Sequence, residues 1–326
     1  MTIISKIINN TLFLKKIFKS DGYAESKLLR ELYSLKCDNI TNNDIIYSLD
    51  SKWSNCGLAD RIRGIVSCYA LAKAQGRDFV IDHELPFRFE TYFSSRMHSG
   101  KDWSMSNRKK SYSRWHAKPV VIMNNSTGKK ICNLPIRKQL HFYSNVDFVD
   151  VVNKHYKKDY TFQGLYSELF SPSDLLLQSV DEHLRALGNH YISISFRFIG
   201  LLGDFQDIGK KNIDAATQES IIDKCIKCIA KLHENKSKYN KILVTADSPR
   251  FLDIAMKLPY VYTIPGKISH IGVNSNEEES LKTFVDFYMI SQADEVFLGV
   301  AEKMYNSNFS RLAAYTTGKP FTVFNL

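Results

Sequence analysis

The residues best suited to chemistry fall late in the chain. Asp286 opens the run Asp286-Phe287-Tyr288-Met289-Ile290-Ser291-Gln292-Ala293-Asp294, and Asn306-Ser307-Asn308-Phe309-Ser310-Arg311 follows shortly after. An acidic side chain accepts hydrogen bonds from the amino edge of a guanine, and hydroxyl, amide and guanidinium groups are the donors a diphosphate needs. Together the two segments point to a clamp for a GDP-linked sugar. Two further candidates close apolar runs: Arg197 follows Tyr191-Ile192-Ser193-Ile194-Ser195-Phe196, and Asp247 follows Ile242-Leu243-Val244-Thr245-Ala246. A last set, Gly57, Asp60, Arg61 and Arg63, opens an amphipathic segment within Gly57-Leu58-Ala59-Asp60-Arg61-Ile62-Arg63-Gly64.

An alternating α/β chain must hold these residues. In the second half, the patterning predicts helices over 173–187, 215–234, 248–257, 278–292 and 307–317. Strands are expected at 191–196, 241–245, near 260–262, at 295–299 and at 320–324. Strands separated by helices of that length form a parallel sheet covered on both faces, whose ligands sit at the carboxyl ends of the strands. Arg197, Asp247 and the residues after Leu298 then share one rim. In the first half, helices over 24–36 and 57–72 precede a strand over 77–82 and another at Val120-Val121-Ile122-Met123. Residues 94–118, rich in Arg, Lys, His, Tyr and Trp, read as irregular: either a grip for a sugar or phosphate acceptor or a solvated loop. A chain of 326 residues exceeds what one hydrophobic core usually supports, so two domains are expected, 1–170 and 171–326.

Lys and Arg number 44 against 34 Asp and Glu, a formal charge of +10 that favours anionic partners such as nucleotides or phospholipid headgroups. The basic residues form no single stripe with a known nucleic-acid module, so no nucleic-acid partner is expected. The six cysteines show no disulfide framework and no second CxxC to complete a zinc site; reduced thiols are expected, with Cys225 and Cys228 packing inside a helix. No apolar run reaches the roughly 20 residues that cross a bilayer, and the N-terminus lacks a signal-peptide pattern, so a cytoplasmic protein is expected. Ile3-Ile4-Ser5-Lys6-Ile7-Ile8 and Leu12-Phe13-Leu14-Lys15-Lys16 mix apolar and basic residues, as a segment lying peripherally on the inner membrane does and as an ordinary packed helix also does.

Four stretches, in order over about residues 55–318, resemble the GDP-fucose-dependent fucosyltransferase superfamily that holds the nodulation, core α1,6- and protein O-fucosyltransferases. Gly57 to Gly64 resembles the family's Gly-x-Gly-Asn-x-x-x-Gly opening. Ser195-Phe196-Arg197-Phe198 falls where the family carries His-x-Arg-Arg, and Thr245-Ala246-Asp247-Ser248-Pro249 resembles its Thr-Asp-Asp-Pro. Asp286 with Ser291-Gln292-Ala293-Asp294 keeps the spacing of the fourth motif.

The resemblance implies a GT-B fold, two Rossmann-like domains facing a cleft, with an acceptor-side N-terminal domain and a nucleotide-sugar-binding C-terminal one. It implies an inverting glycosyltransferase that needs neither metal nor cofactor, taking GDP-fucose as donor and a glycan or lipid-linked acceptor, in polysaccharide biosynthesis. Arg197 would hold the β-phosphate, Asp286 the guanine, and Ser307, Asn308, Ser310 and Arg311 the diphosphate at a helix start. Gly57, Asp60, Arg61 and Asp247 would complete the donor site, although Asp247 before Ser-Pro also suits a helix cap. The general base would be Asp204 or Asp207 in the loop after Arg197, with Asp60 as a third choice. Ser195 in place of His, Phe198 in place of the second Arg and Ala59-Asp60 in place of Gly-Asn remove donors near the transferred sugar. A protein that binds nucleotide or glycan without turnover is therefore the rival reading.

Overall fold

The computed structural model describes residues 20–49, 57–96, 102–106, 108–123, 128–204, 213–268 and 276–326. In chain order its first elements are α1 (Asp21–Glu31), β1 (Ile45–Ser48), α2 (Leu58–Gln75), β2 (Phe79–Asp82), α3 (Phe89–Tyr92), β3 (Phe93–Ser95), β4 (Ala117–Ile122) and α4 (Gly128–Cys132). Then come β5 (Gln139–Ser144), α5 (Val149–Tyr156), α6 (Phe162–Leu169), β6 (Phe170–Pro172), α7 (Asp174–Leu187) and β7 (Ile192–Phe196). The chain continues through α8 (Ala215–Asn235), β8 (Ile242–Ala246), α9 (Pro249–Ala255), β9 (Val261–Tyr262), α10 (Glu277–Gln292), β10 (Glu295–Val300), α11 (Phe309–Thr317) and β11 (Phe321–Asn325).

The described residues divide into two units. One takes those up to 49 together with 60–85 and 95–169; the other takes 57–59, 86–94 and 170–326. A single cut near residue 170 thus leaves out two excursions. The reason for the second is aromatic: Phe87, Phe89 and Tyr92 surround Phe284 of α10, with the Tyr92 and Phe284 rings stacked at 4.0 Å. Offset aromatic pairs of this kind outweigh ordinary apolar contact by about 0.5–1.5 kcal/mol each.

The first unit holds a four-stranded sheet in the order β2-β1-β5-β4, parallel throughout. Helix α2 lies close against it because Gly64 has no side chain: a Cβ there would stand 2.1 Å from the Ser144 carbonyl oxygen. The glycine that ends the first motif is therefore a packing residue. Strands β1 and β5, the two central ones, are absent from the sequence reading. β1 is four residues long, and β5 breaks its apolar run with Gln139 and His141, both fully buried. A closed network satisfies those polar groups. Gln139 Oε1 accepts from Ser111 N (2.8 Å) and pairs with His141 Nε2 (3.0 Å), while His141 Nδ1 meets the Tyr33 hydroxyl at 2.5 Å. Burial, with Lys110 nearby, pushes the imidazole well below its usual range, which keeps it neutral.

The described part of 94–118 combines packed and paired residues with exposed ones such as Tyr112 and Trp115. Trp103 is fully buried, its indole N–H donating to the Leu169 carbonyl at 2.9 Å, and Arg108 and Lys110 are paired with Asp78 (2.9 Å) and Asp82 (2.5 Å). His98 lies outside the described residues.

The second unit is built on a five-stranded parallel sheet, β11-β10-β7-β8-β9. Its order reverses at β7: α8 and α9 follow β7 and β8 in one direction, while α10 and α11 flank β10 in the other. Ile192, Ile194 and Phe196 face the helix carrying Ile221, Cys225 and Ile229, and Ser193 and Ser195 point to the opposite face. Cys225 packs with its sulfur 3.9 Å from that of Met304, and burial pushes the Cys228 thiol up to about 11. Gly299 allows β10 to approach β7, since a Cβ there would lie 2.2 Å from the Phe196 ring.

Candidate functional site

The sheet reversal puts the carboxyl ends of β7, β8 and β10 side by side, which is where an open parallel sheet leaves a crevice for a ligand. Arg197 leaves the tip of β7 and Asp247 the tip of β8, and the two form an ion pair of 3.2 Å between Nη1 and Oδ2. Asp247 is 2 % exposed and also accepts the backbone N–H groups of Phe198 (2.7 Å) and Ile199 (2.8 Å). Burial raises its carboxyl above the usual range, opposed by the Arg197 charge and those N–H donors. Asp247 thus fixes both the guanidinium and the turn that follows it. The cap of α9 is the next residue, Ser248, whose hydroxyl accepts from Phe251 N.

The turn is strained. Ile199 has φ +50°, where a β-branched residue is rare, and Gly200 and Gly203 continue in the same half of backbone space at +70° and +80°. The β10 loop meets it: Tyr305 N donates to the Arg197 carbonyl at 3.0 Å, and Lys303 in that loop also has a positive φ, +69°. Of the three non-glycine residues with positive φ among those described, two lie on this rim; the third, Lys157, ends α5. Strain of about 1–3 kcal/mol at such positions is retained where surrounding contacts over-determine it, commonly at ligand sites.

The same loop feeds α11. Its cap residue Asn308 makes no side-chain capping bond, and Ser307 Oγ accepts from Phe309 N at 3.2 Å. Ser310, in the first turn, is fully buried with a hydroxyl that has no hydrogen-bond partner among the described residues. A helix start that presents N–H groups, a positive dipole end and an unengaged hydroxyl suits a phosphate. Behind the rim, Ser195 Oγ and Thr245 Oγ1 meet at 2.8 Å. Phe198, where a second arginine is expected by resemblance, is buried and packs on Phe251 with ring centroids 5.0 Å apart.

Other expected site residues have different surroundings. The guanidinium of Arg311 lies over the ring of Phe321, the first residue of β11, at 4.7 Å, with Nη2 donating to Asn306 Oδ1 at 3.3 Å. Arg311 thus bridges the β10 loop, through Asn306, and the first residue of β11. Asp286 receives Lys282 Nζ on both oxygens at 2.6 Å within α10; burial raises its carboxyl, opposed by Lys282 and His183. His183 in turn meets the Tyr262 hydroxyl at 2.7 Å, which ties this cluster to β9.

Asp204 Oδ2 accepts from the Ser248 hydroxyl (2.6 Å) and from Arg250 N (2.9 Å), so this carboxylate also holds the start of α9. Asp207 lies outside the described residues. In the first unit, Asp60 is ion-paired with Arg63 on the same helix and Arg61 is fully buried. A Cβ at Gly57 would meet nothing within 4 Å, so none of the described neighbours demands glycine there.

This architecture recurs in solved structures. A point mutant of Arabidopsis thaliana FUT1 in complex with GDP aligns at TM-score 0.56 and 13 % identity over 98 % of this chain and 78 % of that one. NodZ α1,6-fucosyltransferase soaked with GDP-fucose aligns at 0.53 and 12 % identity over 84 % and 92 %, and selenomethionyl NodZ from Bradyrhizobium at 0.51 and 13 % over the same shares. The chain shares the fold of these fucosyltransferases. No protein-family model and no curated sequence matches it.

Sequence reasoning places Arg197 and Asp247 on this rim but misses its backbone parts. The Tyr305 N–H contact and the strained Ile199 depend on how two loops meet, and neither residue type announces its role. Gly200 and Gly203 are the one available signal, since paired glycines just past a strand mark a turn that needs positive φ.

Proposed function

We propose that the protein is an inverting, metal-independent glycosyltransferase of GT-B architecture, with two Rossmann-like domains, that transfers fucose from GDP-fucose to a hydroxyl of a glycan or lipid-linked acceptor. The observation that carries the reading is the Arg197–Asp247 pair at the tips of adjacent strands, on a fold shared with fucosyltransferases that were crystallised with GDP or soaked with GDP-fucose.

The chemistry follows from charge. As the glycosidic bond breaks, negative charge accumulates on the departing diphosphate, and donors already held in place stabilise that state more than the ground state. Arg197 supplies a fixed guanidinium for the β-phosphate, and the first turn of α11 with Ser307, Asn308 and Ser310 supplies N–H and hydroxyl donors. Asp286 receives the guanine amino edge, for which Lys282 must release one carboxylate oxygen. The acceptor hydroxyl attacks the anomeric carbon from the side opposite GDP and gives its proton to a carboxylate, with Asp204 or Asp207 the candidates and Asp60 the third. The basic charge of the chain suits an acceptor carried on an anionic lipid surface.

One observation favours the rival, a protein that binds the nucleotide sugar without transfer. Ser195 and Thr245 satisfy each other and Phe198 is packed away, at the motif where the resembled family carries His and a second Arg. GDP release from GDP-fucose, measured with and without hydroxyl-bearing glycans, separates the two. Acceptor-stimulated release with inversion at the anomeric carbon supports the transferase; tight nucleotide binding with no release under either condition supports the rival.

A further inference from the structure

The first unit contains a group of reactive side chains that the transferase reading leaves unused. Cys37 is exposed, and its sulfur lies 3.5 Å from His116 Nε2. His116 Nδ1 is 2.8 Å from Asp38 Oδ1, so its proton is placed on Nδ1 and the Nε2 lone pair faces the thiol. Asp38 is fixed in turn by Ser111, whose hydroxyl donates to Oδ2 at 2.7 Å, and by the Ile40 N–H at 3.1 Å. Burial acts to raise the Asp38 carboxyl, but the hydrogen bonds from His116, Ser111 and Ile40 outweigh it and hold the group below its ordinary value. Nucleophile, base and orienting carboxylate are thus in the order that activates a thiol.

Two neighbours give this centre a place to receive a reagent. Leu35 and Trp115 are 69 % and 64 % exposed and flank Cys37 and His116 in the chain. They are held together by the Trp115 indole N–H, which donates to the Leu35 carbonyl at 3.0 Å. An apolar shoulder beside a thiol favours a reagent with an apolar or aromatic substituent on sulfur. A second cysteine offers an internal comparison: Cys132 is also exposed and sits 3.1 Å from His155 Nδ1, where the ring packs on Tyr156 and no carboxylate orients it among the described contacts.

We propose that Cys37, His116 and Asp38 form a thiol–disulfide exchange site, with Leu35 and Trp115 seating the substituent of a small organic disulfide. His116 Nε2 takes the thiol proton while the Cys37 sulfur attacks one sulfur of the disulfide. That S–S bond breaks, a mixed disulfide forms on Cys37, and the departing thiolate takes the proton from His116. Cys37 is oxidised and half of the disulfide is reduced, so no further oxidant is needed; a free thiol reverses the step. Asp38 is a positioning residue that acts through the imidazole.

The test uses the full chain and dithiobis(nitrobenzoate), an aromatic disulfide whose released thiolate is coloured, with mass spectrometry to assign each site. In the wild type, Cys37 should react about 100-fold faster than Cys132, the lower end of what a positioned base supplies. C37S should lose the fast phase and C132S should keep it. H116G should slow the fast phase, and added imidazole should restore it. D38N should slow it and shift its pH profile, with D38E restoring part of the wild-type profile. Equal rates at Cys37 and Cys132 in the wild type, a fast phase that survives C37S, or an H116G rate that equals wild type overturns the proposal, and the first comparison requires no variant to fold.

Discussion

Replacing Arg197 by alanine strands Asp247 in a site where it is 2 % exposed. Removing one partner of a buried pair costs about 3–5 kcal/mol. Arg197 is itself 22 % exposed, so the expected loss is nearer ~2–3 kcal/mol. At about 2–4 °C per kcal/mol for a unit of this size, the midpoint of thermal unfolding should fall by roughly 4–12 °C near neutral pH. The deficit should depend on pH with a definite sign. Burial already raises the Asp247 carboxyl and Arg197 is the first force opposing that rise, so the variant carries an acid whose folded value is higher still. An acid raised on folding contributes stability that is present below its unfolded value, about 3.9, and lost as pH rises through the folded one. The R197A deficit should therefore be small at pH 4 and grow toward neutrality. Adding D247N removes the stranded charge, and R197A/D247N should recover much of the loss at neutral pH. Scanning calorimetry of the three proteins over pH 4–8 is the assay. A deficit that does not change with pH, or a double variant no more stable than R197A, refutes the coupling.

The other expectations concern individual rim residues. S310A removes a buried hydroxyl without a partner, so stability should hold or rise by about 1 kcal/mol while GDP affinity falls; a clear loss of stability in thermal melts contradicts this. D204N keeps an oxygen for the Ser248 and Arg250 donors, so the fold and GDP binding should persist while turnover of GDP-fucose drops by about 100-fold or more. Turnover at the wild-type rate would take the base role from Asp204. D286N should lower the preference for GDP over ADP and UDP in competition binding, and an unchanged preference removes the guanine contact.

Much of the second unit is legible in its sequence because its strands are short, largely apolar or alternating segments between helices of ordinary length, as at Ile242–Ala246 and Glu295–Val300. The first unit hides its central strands. β5 buries Gln139 and His141, whose partners Ser111, Lys109 and Tyr33 come from distant parts of the chain, and no local pattern reveals that these polar groups are satisfied. The excursion at 86–94 is hidden for a related reason: Phe87, Phe89 and Tyr92 look like any aromatic cluster until Phe284 supplies their partner. Among site residues, those at strand ends are placed well by topology, as Arg197 and Asp247 demonstrate. For residues within helices, motif spacing does not say which partners a long side chain meets. Arg311 finds the Phe321 ring and Asp286 finds Lys282, each within reach of its own helix.

The central claim is that Arg197 and its neighbours hold a guanosine diphosphate without help from a cation. Titration calorimetry of GDP in the presence of a chelator, against the wild type and against R197A/D247N, tests it most directly, since the double variant separates loss of the guanidinium from loss of the fold. The account predicts binding by the wild type and an affinity about 10- to 100-fold weaker in the double variant, the worth of charge-assisted hydrogen bonds to a phosphate. Equal affinities, or wild-type binding that disappears in chelator, would contradict it.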